Sequence, residues 1–116
     1  MQNKTIVVIE SPYEGKTTRE TKQNVEYAQK CLADCLKRGE APFSSSLTYK
    51  QANVLDSSPE SQQLCENAGD QFLSVASKVV VYIDKGISPE MDKGIAKAKT
   101  AGITVELRSL KIQVGA

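Results

Sequence analysis

Gly15-Lys16-Thr17 has the ending of a phosphate-binding loop. In such a loop backbone N–H groups cradle phosphate, the lysine reaches the outer phosphates and the threonine hydroxyl holds magnesium. The stretch ESPYEGKTT follows the apolar run Thr5–Ile9, and Val79–Asp84 resembles the apolar strand whose closing aspartate would complete a magnesium site. The surrounding residues do not fit. Glu10 stands where the first glycine belongs, Pro12 removes one cradling N–H, and helical periodicity begins only near Val25. Apolar strands that end in aspartate are common because aspartate suits turns. Other reactive clusters are poorer. Cys31 and Cys35 share a helix face with Leu32 and Leu36, and the chain has no histidine and no further cysteine pair. A tetrahedral zinc site is therefore not predicted, and core packing accounts for both thiols. Ser44–Ser46 is a hydroxyl run without a nucleophile elbow or a histidine base. Lys93, Lys97 and Lys99 read as a solvated helix face.

The elements that must position a site are legible from periodicity. Thr5–Ile9 predicts a strand buried on both faces, followed by a loop over 10–19. A helix over about Glu20–Arg38 carries Val25, Ala28, Leu32, Cys35 and Leu36 on one face and stops at Gly39. Ala41–Ser44 is a short second strand, and 45–57 a polar loop. Ser58-Pro59-Glu60 opens a helix with Leu64, Ala68, Phe72 and Val75 as its expected buried stripe. Lys78–Ile83 is the next strand. Ser88-Pro89-Glu90 opens a helix whose stripe is Met91, Ile95 and Ala98, ending at Gly102, and Ile103–Leu107 is the last strand. Strands alternating with helices predict an α/β fold with a mostly parallel sheet of four to five strands between two helical layers. Ligands in such sheets bind outside the carboxyl ends of the strands, which selects the loops 10–19, 44–57 and 84–90.

Composition narrows the function classes. A chain of 116 residues suits one domain spanning 1–116. Fifteen basic against fourteen acidic residues, with no aromatic residues interleaved among the basic ones, argue against a nucleic-acid partner. No apolar run approaches membrane-spanning length, so no membrane partner is expected. Three cysteines and an amino terminus that enters a strand directly point to a reducing, cytoplasmic setting. No cofactor or metal is called for.

Read as Ser11-Pro12-Tyr13-x-Gly15, then Asn24 and Tyr27-Ala28, the same stretch resembles the small nucleoside 2-deoxyribosyltransferase-like domains found in phages and bacteria. The resemblance continues through Gly39-Glu-Ala-Pro-Phe43, Tyr49, Gln51 and Gly69, and closes with Gly86-Ile87-Ser88 and Met91, covering about residues 5–107. It implies a flavodoxin-like, Rossmann-like three-layer sandwich and a pocket for a nucleoside or nucleotide-like ligand, often completed by a neighbouring subunit. Ser11, Pro12, Tyr13, Gly15, Asn24, Phe43, Ser46, Tyr49, Gln51, Asp84, Gly86, Ile87, Ser88 and Met91 are the ligand-binding positions expected on that basis.

The residue types suit those places. Pro12 fixes the chain leaving the first strand, and Gly15 permits a turn with positive φ. Tyr13 either stacks on a base or covers the sheet edge. Ser88 caps a helix whose N-terminus favours anions, or only caps it. Asn24 either orders the loop or is a solvated helix residue. Tyr49 and Gln51 either bond a base edge or are ordinary loop residues.

Two departures bear on chemistry. The family's transferases cut an N-glycosidic bond with a helical glutamate, and the matching position is Gly94. Glu90 and Asp92 lie on other faces of that helix. A histidine of the smaller relatives is Ser46. The expected function is therefore binding without turnover, with no catalytic residue. The protein would hold a nucleotide-derived molecule as a homodimer or higher assembly. If phage-encoded, it would sit in the host cytoplasm and sequester an immune nucleotide signal such as a cyclic dinucleotide or ADP-ribose derivative. The alternative is an enzyme acting at an N-glycosidic bond through Asp92 or Glu90, and a third option is an interaction module with a vestigial pocket.

Overall fold

The computed structural model describes residues 5–111. Its elements, in order, are β1 (Ile6–Glu10), α1 (Thr18–Lys37), β2 (Ala41–Phe43), a π-helical turn (Ser46–Lys50), α2 (Pro59–Val75), β3 (Lys78–Tyr82), α3 (Pro89–Thr100) and β4 (Thr104–Arg108). The four strands form one parallel sheet in the order β2-β1-β3-β4. The chain steps from β1 to β2 in one direction, then crosses back to β3 and β4 in the other. A constant crossover hand then requires helices on opposite faces. Accordingly, α1 lies on one face, where Tyr27, Cys31 and Cys35 pack on Val7, Ile9, Val80 and Tyr82. On the other face Met91 and Ala98 of α3 pack on Val8, Val79 and Val81, with Phe43 and the half-buried Leu73 and Ala76. This is the flavodoxin-like arrangement that alternation predicts.

Several boundaries differ from the sequence reading. β1 runs one residue further, so Glu10 pairs in register with Val81 inside the sheet instead of opening the loop. Helix α1 starts at Thr18, directly after Gly15-Lys16-Thr17, because the Thr17 hydroxyl accepts the Glu20 N–H at 3.1 Å and caps it. Apolar periodicity marks where a helix meets the core and not where it begins. Its buried face holds Asn24, Tyr27, Ala28, Cys31 and Cys35, while Leu36 is exposed. The polar segment 45–57 contains the π-helical turn, which no apolar pattern announces.

The largest correction concerns α2. Its expected buried stripe is not buried: Leu64 is 59% exposed, Val75 61% and Phe72 39%. Leu73 and the cap Ala76 pack against the core instead, Ser61 is buried, and Cys65 and Ala68 are half-buried. The polar side of that inner face is satisfied locally, since the Ser61 hydroxyl donates to Asp56 at 2.6 Å. Ser58 and Ser88 cap α2 and α3 as predicted, with Pro59 and Pro89 in the first turns.

On the α1 face, the buried Arg108 guanidinium donates to both Glu40 oxygens at 2.8 and 2.6 Å and to Glu106 at 2.7 Å. It also donates to the Tyr82 hydroxyl, which in turn donates to Asp34 of α1. A buried cation bonded through all three of its nitrogens ties β4, β3 and both ends of the α1–β2 connection together. No helix among the described residues is long and apolar enough to cross a membrane.

Candidate functional site

The strand order reverses between β1 and β3, so the crevice outside their carboxyl ends is where a ligand-binding site belongs in this architecture. Three segments border it: Ser11–Thr17 after β1, the π-helical turn after β2, and Ile83–Ser88 leading into α3.

The first segment is built around Asn24. From α1 its buried amide donates to the Tyr13 carbonyl at 2.9 Å, and its oxygen accepts from Lys85 at 3.2 Å. The loop-ordering role is thereby realised, and the Tyr13 ring is left half-buried at the strand end. Gly15 does not adopt positive φ, contrary to the sequence expectation. Glycine is needed there for space, since a Cβ would lie 2.5 Å from that of Glu20. The remainder of the loop disposes of the phosphate-binding reading, although the helix does begin where that reading wants it. The Gly15 N–H donates to Thr21 Oγ1 and the Lys16 N–H to Glu20 Oε1, each at 2.9 Å. An acidic side chain from the first turn of α1 thus occupies the seat a phosphate would need.

Opposite Tyr13, Lys50 reaches over from the π-helical turn with its ammonium 5.7 Å from the ring centroid. The same ammonium lies 3.8 Å from Glu90 in the first turn of α3. Tyr13, Lys50 and Glu90 therefore join the segment after β1, the π-helical turn and the first turn of α3 into one polar cluster. Beside it, Phe43 ends β2, stacks on Phe72 at 3.8 Å between centroids and meets Tyr49 edge-on at 5.9 Å.

Glu10 is the cluster's remaining member. Val8 packs on the α3 face, and alternation sends Glu10 to that same face. There its carboxyl occupies the room that Gly94 leaves, because a Cβ at position 94 would collide with its Cδ and both oxygens. Burial pushes its pKa up to about 7; Lys50 and Lys97 pull the other way, and Glu90 adds to the rise. Next to it, the buried Ser11 hydroxyl has no hydrogen-bond partner among the described residues.

The other expected positions have separate surroundings. Asp84 accepts from Tyr27 at 2.6 Å, from Ser109, and from the Leu110 and Lys111 N–H groups. Burial works against its charge, but these bonds outweigh it and hold its pKa at about 2. Such a carboxylate anchors the segment after β4. Pro12 is half-buried, Gln51 and Ile87 are exposed, and Ser46 starts the π-helical turn. Gly86 takes φ +85°, which explains the glycine there. Ser88 accepts the Met91 N–H at 3.2 Å, and buried Met91 accepts the Ser88 N–H on its sulfur at 3.4 Å. No group of three or more histidine, cysteine or carboxylate side chains among the described residues is placed to hold a metal.

Sequence reasoning passed over Glu10 and Lys50. One signal was available: an acid inside an otherwise β-branched strand buried on both faces is out of character, and it marks the end where ligands bind. Its partnership with Gly94, 84 positions later in the chain, needed coordinates.

Residues 5–108 match the family described as Domain of unknown function (DUF7768). No curated protein matches the sequence. Among solved structures, the chain is similar to a 2-deoxyribosyltransferase from the psychrotolerant bacterium Bacillus psychrosaccharolyticus. That likeness has a TM-score of 0.63 at 17% identity, over 90% of this chain and 72% of the other.

Proposed function

The chain belongs to the DUF7768 family, and from that footing we propose that it binds a nucleoside- or nucleotide-derived small molecule outside the carboxyl ends of β1 and β3. The observation that carries this reading is the convergence of Tyr13, Lys50 and Glu90 at the point where the strand order reverses. An aromatic face offers stacking to a base, while an ammonium and carboxylates offer partners to phosphate and sugar hydroxyls. The fold shared with a 2-deoxyribosyltransferase supports the ligand class. A second copy of the chain would complete the crevice.

Two modes of action fit this site. Retention without turnover would sequester the ligand, for instance a cyclic dinucleotide or an ADP-ribose derivative. Action at an N-glycosidic bond is favoured by one specific observation, the carboxyl that fills the space beside Gly94.

Mass spectrometry of small molecules released by denaturing the native protein identifies the ligand, and calorimetry then tests the site. Tyr13→Ala removes a stacked aromatic and should cost about 1–3 kcal/mol, roughly five- to a hundredfold in affinity. Lys16→Ala should be nearly silent, since Lys16 is exposed. The reverse pattern, with binding that depends on magnesium, would overturn this reading and restore the phosphate-binding loop.

A further inference from the structure

We propose that Glu10 is the reacting carboxylate of this crevice, a general base in hydrolysis of the N-glycosidic bond of a bound nucleoside. The proposal rests on the ligand reading above and adds a reaction to it.

Three observations carry it. Glu10 ends β1 at the reversal point, yet it holds no element in place: no hydrogen bond or ion pair within the described residues reaches its carboxyl. Other half-buried or buried acids of this fold are saturated, Asp84 by Tyr27, Ser109 and two backbone N–H groups, and Glu40 by Arg108. A half-buried carboxyl left without a hydrogen-bond partner carries a desolvation cost, and such groups concentrate where chemistry is done. Second, the helix opposite makes space for it. At Gly94 even a methyl group would strike the Glu10 carboxyl, so one small residue on α3 and one acid on β1 form a single fitted pair. Third, the charged groups acting on it come from two elements around the crevice, Lys50 from the π-helical turn and Lys97 and Glu90 from α3. Their balance with burial poises the acid near neutrality, where a general base is most effective. Glu90 and Asp92 are exposed and do not share that setting.

In the reaction the Glu10 carboxylate takes a proton from water as the water oxygen bonds to the anomeric carbon. The carbon–nitrogen bond breaks, its electron pair leaves with the nucleobase, and the base takes a proton from solvent. Glu10 then returns its proton to solvent. The products are the free base and the sugar.

The test incubates the full chain with adenosine, 2′-deoxyadenosine and AMP, following base release by chromatography and binding by calorimetry. Wild type should release base at a rate that rises with pH through a midpoint near 7. Glu10→Gln should keep binding while release falls at least about a hundredfold, and the limb near pH 7 should vanish. Gly94→Ala, which removes no reactive atom, should also slow release by displacing the carboxyl, and thermal melts establish that both variants are folded. If wild type binds these probes and releases no base, or if Glu10→Gln releases it at the wild-type rate, the proposal is overturned while the ligand reading stands. If none of the probes binds or reacts, and no nucleoside or nucleotide is released on denaturation, both fall.

Discussion

At neutral pH the Glu10 carboxyl is close to half protonated, because burial beside α3 disfavours its charge more than Lys50 and Lys97 favour it. That has a consequence measurable without any ligand. The folded chain binds this proton more tightly than the unfolded one, so the contribution to stability is fully present below about pH 4.5 and is lost as pH rises to about 7. The loss amounts to at most about 3 kcal/mol. Urea melts of Glu10→Gln should lack this decline, so wild type falls relative to the variant between those limits. Parallel stability curves for the two proteins would show that Glu10 titrates normally and is not held as described. Asp84 provides the opposite slope in another window, its stabilisation being lost as pH drops from about 4 toward 2. Of these two acids only Asp84 is among the ligand-binding positions expected from the sequence, while Glu10 is noted there only for standing where a phosphate loop's first glycine belongs. Nothing in one dimension distinguishes an acid saturated by hydrogen bonds from one left unpaired, since the partners are 25 to 57 positions away for Asp84. The residue types of the site were legible, but their division into anchor and reactive group was not.

The segment between β1 and α1 shows how an element is held in readiness for a ligand. Three polar side chains of α1 satisfy the loop from one side: Asn24 bonds the Tyr13 carbonyl, Thr21 the Gly15 N–H and Glu20 the Lys16 N–H. Asn24 is the buried member, so its loss leaves a carbonyl without its partner. Asn24→Ala should cost about 1–3 kcal/mol in stability, and limited proteolysis should cut between residues 11 and 17 faster than in wild type. Unchanged melting and unchanged cleavage would mean that the loop is fixed by other contacts. The order of elements, their parallel arrangement and the serine caps were readable, because periodicity and capping act over a few residues. The inner face of α2 was not. Its sequence carries Leu64, Phe72 and Val75 on one stripe, yet Leu73 and Ala76 pack against the core while Leu64 and Val75 stay exposed. Hydrophobic periodicity reports which face avoids water and is silent on whether the sheet or another surface covers it.

For the molecule as a whole, that uncovered stripe and the crevice point the same way. A groove of about 480 Å³ lies between α2 and α3 near Asp70, Leu73, Lys97 and Ala101, and is not lined by the Tyr13–Lys50–Glu90 cluster. Leu64 and Val75 leave an exposed apolar stripe on α2, and Phe72 of the same helix stacks on the buried Phe43, so a second copy seated on Leu64 and Val75 would cover that stripe. Association through like surfaces closes into a symmetric dimer or a higher ring. Light scattering at tens of micromolar should therefore find an assembly of two or more chains, which dilution dissociates. Leu64→Glu should shift it to monomer with little effect on the fold, because the leucine is already in water. Nucleotide affinity should fall together with assembly, as expected of a site finished by the neighbour. A wild-type protein that scatters as a monomer at that concentration, or a monomeric Leu64→Glu variant that binds ligand as tightly as wild type, would mean that the crevice works alone and that α2 faces water.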